Sequence, residues 1–115
     1  MKLWVDDVRT APITSAIPDD MEWKEVRSVN QAKAAIIQAE KFSKFDKIFA
    51  IELIDIDHDA GDFACDGGDY IRLLDWLEET ERNYPIRIHS MNPVGVENMR
   101  RIIERNGWKE IKVNE

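Results

Sequence analysis

Acidic residues and a histidine cluster near the middle of the chain, directly after an apolar run. Residues 48–54 have the length and the β-branched content of a buried strand. Ligands of open α/β sheets bind beyond the carboxyl ends of the strands. We therefore predict that the functional site lies in the next segment, residues 54–62, whose acids and histidine are Asp55, Asp57, His58, Asp59 and Asp62.

Two further predicted strands also end in polar side chains. Residues 3–5 lead into one polar group and residues 86–89 into another, and the combined set contains both histidines of the chain. If the three strands are parallel neighbours, their carboxyl ends share one edge of the sheet. The predicted site then consists of Asp6, Asp7, Arg9, Asp57, His58, Asp59, His89, Ser90 and Asn92.

The acids of this set indicate a metal site. Carboxylates at adjacent strand ends would raise one another's pKa unless a cation compensates them. A hard divalent ion with oxygen ligands does so, which favours Mg²⁺ or Mn²⁺, with Ca²⁺ as a third option. The alternative is that Asp6 or Asp7 caps a turn and that Arg9 forms a salt bridge with one of the acids. The predicted metal ligands are Asp6, Asp7, Asp57 and Asp59.

The other polar residues indicate acid–base chemistry and anion binding. Two histidines on adjacent strand ends could serve as general acid and general base. Ser90 could donate a hydrogen bond to a phosphate oxygen or act as a nucleophile. Asn92 with Pro93 opens a helix whose N-terminal amides could hold an anion. In the alternative interpretation Asn92 is only the helix cap.

Hydrophobic periodicity predicts a single α/β domain over residues 1–115, with the order β-β-α-β-α-β-α-β. Ser28 with Gln31 forms a capping box for the first helix, and Asn106-Gly107 ends the last one. Residues 10–21 contain two prolines and are predicted as a loop. The predicted strands are 3–5, 22–26, 48–56, 86–89 and 108–113, and the predicted helices are 28–42, 69–83 and 92–106.

Composition excludes several classes of function. The formal charge is −7 and there is no Lys/Arg-rich run, so non-specific DNA binding is not expected. No apolar stretch approaches the roughly 20 residues of a membrane span. The single cysteine, Cys65, allows no intramolecular disulfide, and the N-terminus does not resemble a signal peptide. We therefore expect a cytoplasmic protein that does not bind membranes.

Three sequence blocks resemble the cyclic-phosphate processing receiver-type domain family. They are WVDDVR at residues 4–9, IDHDAG at 56–61 and HSMNPVG at 89–95. The resemblance covers about residues 2–107 and implies a receiver-like, flavodoxin-like fold. That fold is a three-layer domain with five mostly parallel strands in the order 2-1-3-4-5, here with a loop in place of the first crossover helix. The resemblance also implies binding or hydrolysis of a cyclic phosphate on a nucleotide or an RNA end.

Three functions follow from this resemblance and from the residues. The first is a metal-assisted phosphoesterase, in which His58 and His89 share acid and base duties and Arg9 neutralises phosphate charge. The second is a non-catalytic module that binds a cyclic nucleotide or another phospho-ligand. The third is a divergent response-regulator receiver that is phosphorylated on Asp57. The two histidines would have no role in that receiver, and Lys112 is the only candidate for its lysine.

Overall fold

The computed structural model describes residues 1–11 and 23–112. The predicted loop at residues 10–21 lies almost entirely outside these ranges. Four strands alternate with three helices in the described residues. They are β1 (Lys2–Val5), β2 (Trp23–Val26), α1 (Val29–Phe42), β3 (Leu53–Ile56), α2 (Ile71–Glu79), β4 (Ile86–Ile88) and α3 (Pro93–Asn106).

The sheet has the order β2-β1-β3-β4, and every pair of neighbouring strands is parallel. The described residues therefore confirm the predicted order for four strands, but the prediction of a fifth strand at residues 108–113 is wrong. Gly107 turns the chain in the left-handed region (φ 68°) and Trp108 packs into the core. Only Glu110 then forms an isolated bridge, with Ile86.

The predicted central strand is shorter than the apolar run that suggested it. Asp46 caps a short 3₁₀ turn, Lys47–Phe49, by accepting a hydrogen bond from the Ile48 N–H at 3.1 Å. Ile48 is 61% exposed, so this part of the run is not a buried strand. Pairing with β1 is confined to Leu53–Ile56. The second helix also ends earlier than predicted, at Glu79 rather than near residue 83.

All three helices lie on one face of the sheet. Leu3, Val5 and Ile54 point into a single apolar core to which each helix contributes buried side chains. Side chains alternate along a strand, so the opposite face carries Trp4, Asp55 and Arg87, which are neighbours in the strand register. The described residues show no helix on this second face, so they do not confirm the predicted three-layer arrangement.

The helix caps are those that the sequence predicts. The Ser28 hydroxyl accepts a hydrogen bond from the Gln31 N–H at 3.0 Å, which satisfies one free donor of the first turn of α1. The Asn92 side chain accepts from the Gly95 N–H at 3.0 Å, with Pro93 in the first turn of α3. Both caps fix the direction in which a loop of the sheet edge enters its helix.

One ion pair outside the sheet edge links α1 to the segment between α2 and β4. Burial would raise the pKa of Glu40, but hydrogen bonds from Arg82 and Tyr84 and the Arg82 charge hold it below its ordinary value of 4.5. A carboxyl with a lowered pKa stabilises the folded state above its unfolded pKa, and this contribution is lost as the pH falls through the folded pKa. Glu40 therefore stabilises the protein at neutral pH.

We expect Glu40→Gln to lower the free energy of unfolding at pH 7 by about 1 kcal/mol, because the carboxylate is more than one third exposed and is partly screened. The difference from the wild type should disappear as the pH falls below 4.5. Urea unfolding across this pH range measures it. Glu79→Gln, on an exposed residue of α2, is the control. A difference that persists in acid would contradict this explanation.

Within the described part of the chain, no helix is long and apolar enough to cross a membrane.

Candidate functional site

The predicted site residues lie at the edge of the sheet where the parallel strands end. Asp6 follows β1, Asp57 follows β3 and His89 follows β4. These three side chains offer ligand atoms that lie within 4.8 Å of one another. The sheet order 1-3-4 makes the three strand ends direct neighbours, which is why residues far apart in sequence meet here. We call this group, together with Arg9 and His58, the rim.

Asp6 is the centre of the rim. The carboxylate is fully buried. Its Oδ1 accepts from the backbone N–H groups of Val8 at 2.9 Å and Arg9 at 2.8 Å. Its Oδ2 accepts from Arg9 Nε at 3.1 Å and lies 2.9 Å from His89 Nε2. Burial alone would raise the pKa of Asp6, but these hydrogen bonds and the Arg9 charge lower it below its usual value. Asp6 is therefore ionised at neutral pH.

The Arg9 guanidinium joins the ends of three strands. Besides Asp6, its Nη2 donates to Asp57 Oδ2 and to the carbonyl oxygen of His89, both at 3.2 Å. Arg27 stabilises the loop after β1, because its Nη1 donates to the carbonyl oxygens of Asp6 and Arg9, both at 2.9 Å. The Arg9 side chain is 47% exposed, so part of it faces solvent. The predicted alternative, a salt bridge between Arg9 and the acids, is confirmed.

His89 is held on both sides by buried carboxylates. Its Nδ1 lies 2.6 Å from Asp55 Oδ1, and its Nε2 contacts Asp6. Each ring nitrogen of His89 therefore faces a carboxylate oxygen. The ring also stacks on Trp4, with centroids 4.0 Å apart and planes 2° from parallel. His89 is thus fixed in position and has neither ring nitrogen free.

His58 lies on the opposite side of Asp57, against the first turn of α3. Its Nδ1 is 2.8 Å from Asp59 Oδ1, so this nitrogen donates to the carboxylate. Within the described residues its Nε2 has no hydrogen-bond partner. A Cβ on Gly95 would lie less than 3.0 Å from three atoms of the His58 ring, so only glycine lets the helix pass this close. His58 is an oriented histidine with one nitrogen open.

The remaining predicted residues surround this group. The half-buried Asp7 carboxylate lies against Gly61, where an added Cβ would collide with it. The Ser90 hydroxyl accepts from the Asn92 N–H at 3.1 Å, so Ser90 and Asn92 both organise the start of α3. The structure confirms Asn92 as a cap, and its phosphate-binding role stays a prediction. Asp59 is mainly exposed.

The donor types at the rim fit a hard divalent cation. Two carboxylates and an imidazole, from Asp6, Asp57 and His89, form a cluster that could hold one. Asp7 and Asp59, also predicted as ligands, are not members of this cluster. Arg9 already contacts one oxygen of Asp6 and one of Asp57. A metal ion bound to these two oxygens would compete with the guanidinium, and the partly exposed Arg9 side chain is the one that could move away.

We expect Arg9→Ala to raise the affinity for Mg²⁺ or Mn²⁺ about fivefold, because an exposed ion pair of roughly 1 kcal/mol no longer opposes the metal. Isothermal titration measures the dissociation constant. Arg101→Ala, which removes an exposed arginine of α3, controls for the change in net charge. An affinity that is unchanged or weaker in Arg9→Ala would mean that the cation does not bind between these carboxylates.

Three residues contribute to the rim without having been predicted there, and Asp55, which lies in the predicted segment 54–62, was assigned no role. Asp55 and Trp4 hold His89. Arg87 lies beside Asp55, and its buried Nε has no hydrogen-bond partner in the described residues. Tyr70 is fully buried and donates to the carbonyl oxygen of Arg27 at 2.6 Å; burial first, and the nearby aspartates second, raise its pKa. Side-chain alternation along the strand could have indicated a role for Asp55 at the rim, because Asp55 lies two residues before Asp57 and on the same face.

Comparison with protein families agrees with this geometry. A family model described as "Cyclic-phosphate processing Receiver domain" matches residues 1–105. Comparisons with curated proteins and with solved structures find no significant match. The family match spans β1 to nearly the end of α3, and it includes every residue of the rim.

Proposed function

Because the chain belongs to the family of cyclic-phosphate processing receiver domains, we propose that the rim binds a cyclic phosphodiester and hydrolyses it to a phosphomonoester with the help of a divalent metal ion. The observation that carries this proposal is the meeting of the Asp6 and Asp57 carboxylates with the Arg9 guanidinium, next to a histidine with an open Nε2. This arrangement combines a metal-binding carboxylate pair, a cation for phosphate and an acid–base group.

The proposed reaction opens one ring bond of the cyclic phosphate. A water oxygen bonds to phosphorus and gives up one proton, one P–O bond of the ring breaks, and the leaving oxygen takes up one proton. Asp6 and Asp57 would hold the metal ion, for which Mg²⁺ or Mn²⁺ is our choice. When bound, the ion would polarise the phosphoryl oxygens. With a metal ion held by these carboxylates, the Arg9 guanidinium would be free to pair with a phosphate oxygen.

Proton transfer is assigned to His58. Its Nε2 is open, and Asp59 orients the ring through Nδ1, which is the geometry of an acid–base histidine. His89 was predicted to share this duty. Both of its nitrogens face carboxylates, so we assign it instead the positioning of Asp6. Ser90 and Asn92 support the first turn of α3, whose amides lie beside His58.

A non-catalytic binding module is the second candidate. The observation that favours it is the contact of Arg9 with both carboxylates, because the guanidinium provides a positive charge for an anionic ligand without any metal. Phosphorylation of Asp57, as in a signalling receiver, is the third candidate. It leaves the oriented His58 without a role.

The test is a panel of 2′,3′- and 3′,5′-cyclic nucleotides incubated with the protein in Mg²⁺, Mn²⁺ or EDTA and followed by phosphorus NMR. We expect a phosphomonoester signal that requires metal and is lost in His58→Gln. Binding without conversion would favour the second candidate. Transfer of label from a small phosphodonor to Asp57, without turnover of the panel, would favour the third.

A further inference from the structure

The loop that follows β3 is strongly acidic. Between residues 57 and 69 it carries five aspartates and neither lysine nor arginine. Three of these acids, Asp59, Asp62 and Asp69, are exposed. Asp66 instead faces inward, where Ser28 and Asn30 donate to its carboxylate at 2.6 and 3.0 Å. The approach to the rim along this loop therefore has a negative potential, and the net charge of the whole chain, −7, has the same sign.

Among the described arginines near the rim, Arg9 has a partly exposed side chain at the strand ends, whereas Arg87 lies 3.9 Å from the buried Asp55. Arg27 is directed towards backbone oxygens and towards Glu25. Arg72, at the start of α2, lies 3.7 Å from Asp75. Within the described residues, Arg9 is thus the cation that is available for a phosphate group. One guanidinium can serve one phosphate, whereas a nucleic-acid strand needs several Lys or Arg side chains along its backbone.

Exposed apolar side chains flank the same site. Val8 is 76% exposed, Met91 88% and Val94 71%. Val8 lies between Asp7 and Arg9 in sequence, Met91 follows Ser90, and Val94 is in the first turn of α3. Exposed single apolar residues are common, but these three all border the charged rim. A flat aromatic group attached to the phosphate could cover them, and methionine sulfur packs favourably on aromatic rings.

We propose that the rim takes a free cyclic mononucleotide, a single cyclic phosphate with an attached base, and not the cyclic phosphate at the end of an RNA strand. This inference rests on the proposed function and narrows its substrate class. The acidic loop, residues 57–69, repels the additional phosphates of an RNA strand. Arg9 compensates the charge of one phosphate, and the exposed Val8, Met91 and Val94 side chains contact the base.

The test compares kcat/KM for three substrates that share the same reacting group. They are a 2′,3′-cyclic mononucleotide, a short oligonucleotide that ends in the same cyclic nucleotide, and the 1,2-cyclic phosphate of glycerol, which has no base. We expect the mononucleotide to exceed both others at least tenfold at low salt. The gap to the oligonucleotide should narrow as salt is added, because screening weakens the repulsion.

Two variants test separately the repulsion by the acidic loop and the apolar contact with the base. Asp62→Lys should raise kcat/KM for the oligonucleotide and leave the mononucleotide unchanged. Met91→Ser should raise KM for the mononucleotide roughly three- to fivefold, from the loss of apolar contact with the base, with little change for cyclic glycerol phosphate. Met91 is exposed, so this variant should fold normally.

The outcomes distinguish this inference from the proposed function. An oligonucleotide that reacts as fast as the mononucleotide, or faster, overturns the inference and leaves cyclic-phosphate hydrolysis standing. Equal rates for the nucleotide and for cyclic glycerol phosphate overturn the role of the base. Failure to convert any of the three substrates removes the inference together with the hydrolytic function on which it rests.

Discussion

Gly95→Ala should destabilise the protein, although alanine is the better helix former. In an ordinary helix interior this substitution gains about 1 kcal/mol. Here the new methyl group would lie less than 3.0 Å from three atoms of the His58 ring. The ring would have to leave its contact with Asp59, and overpacking of this kind costs roughly 1–3 kcal/mol. Urea unfolding measures the change, and we expect activity on a cyclic phosphate to fall as well.

The same substitution can also be measured in the His58→Ala variant. In His58→Ala the ring is absent, so Gly95→Ala should there show its ordinary helix effect and stabilise the protein by about 1 kcal/mol. The sign of the alanine effect should therefore reverse between the two backgrounds. If Gly95→Ala stabilises the wild type as much as it stabilises His58→Ala, the close approach of α3 to His58 does not restrict this position.

Asp55→Asn, beside the rim, should strongly destabilise the protein. The carboxylate is 1% exposed and faces His89 at 2.6 Å, with Arg87 at 3.9 Å on its other oxygen. Removing this buried carboxylate leaves the His89 ring and the Arg87 guanidinium without their partner, and the loss of one partner of a buried charged contact costs about 3–5 kcal/mol. We expect a loss in the lower part of this range, because asparagine keeps an oxygen that can accept from Nδ1.

Asp75→Asn is the matched control for this substitution. Asp75 is a partly exposed acid of α2 that pairs with Arg72 at 3.7 Å, and such a pair contributes less than about 1 kcal/mol. The same chemical change should therefore have a small effect at position 75 and a large effect at position 55. Similar losses in both variants, measured by urea unfolding, would show that the Asp55–His89 contact does not stabilise the fold.

The sequence predicts the helices and the rim better than it predicts the strands. Ser28 and Asn92 identify two helix starts because caps are local signals. The strand ends at Asp6, Asp57 and His89 are also correct, since a change from apolar to acidic residues marks the sheet edge. The error at residues 48–52 arose because an apolar run has no period that separates a strand from a 3₁₀ turn, and the Asp46 cap decides between them.

Local sequence patterns do not predict which side chains meet between neighbouring strands. The pairing of His89 with Asp55 depends on the register of β3 and β4, which no single segment contains. The same is true of the Arg9 contact with Asp57, across 48 residues of sequence. The sequence therefore predicted which residues meet at the rim, but not that His89 would be enclosed by carboxylates and His58 left open. That difference decides which histidine we assign to proton transfer.

The central claim is that water opens a cyclic phosphate at a rim formed by Asp57 and His58. The most direct test is hydrolysis of a 2′,3′-cyclic mononucleotide in ¹⁸O-labelled water with Mg²⁺ or Mn²⁺, with the product phosphorus observed by NMR. We predict catalytic turnover with ¹⁸O on the phosphomonoester, and rates reduced about 100-fold or more in Asp57→Asn and His58→Gln. Wild-type turnover that does not exceed that of these two variants would contradict the account.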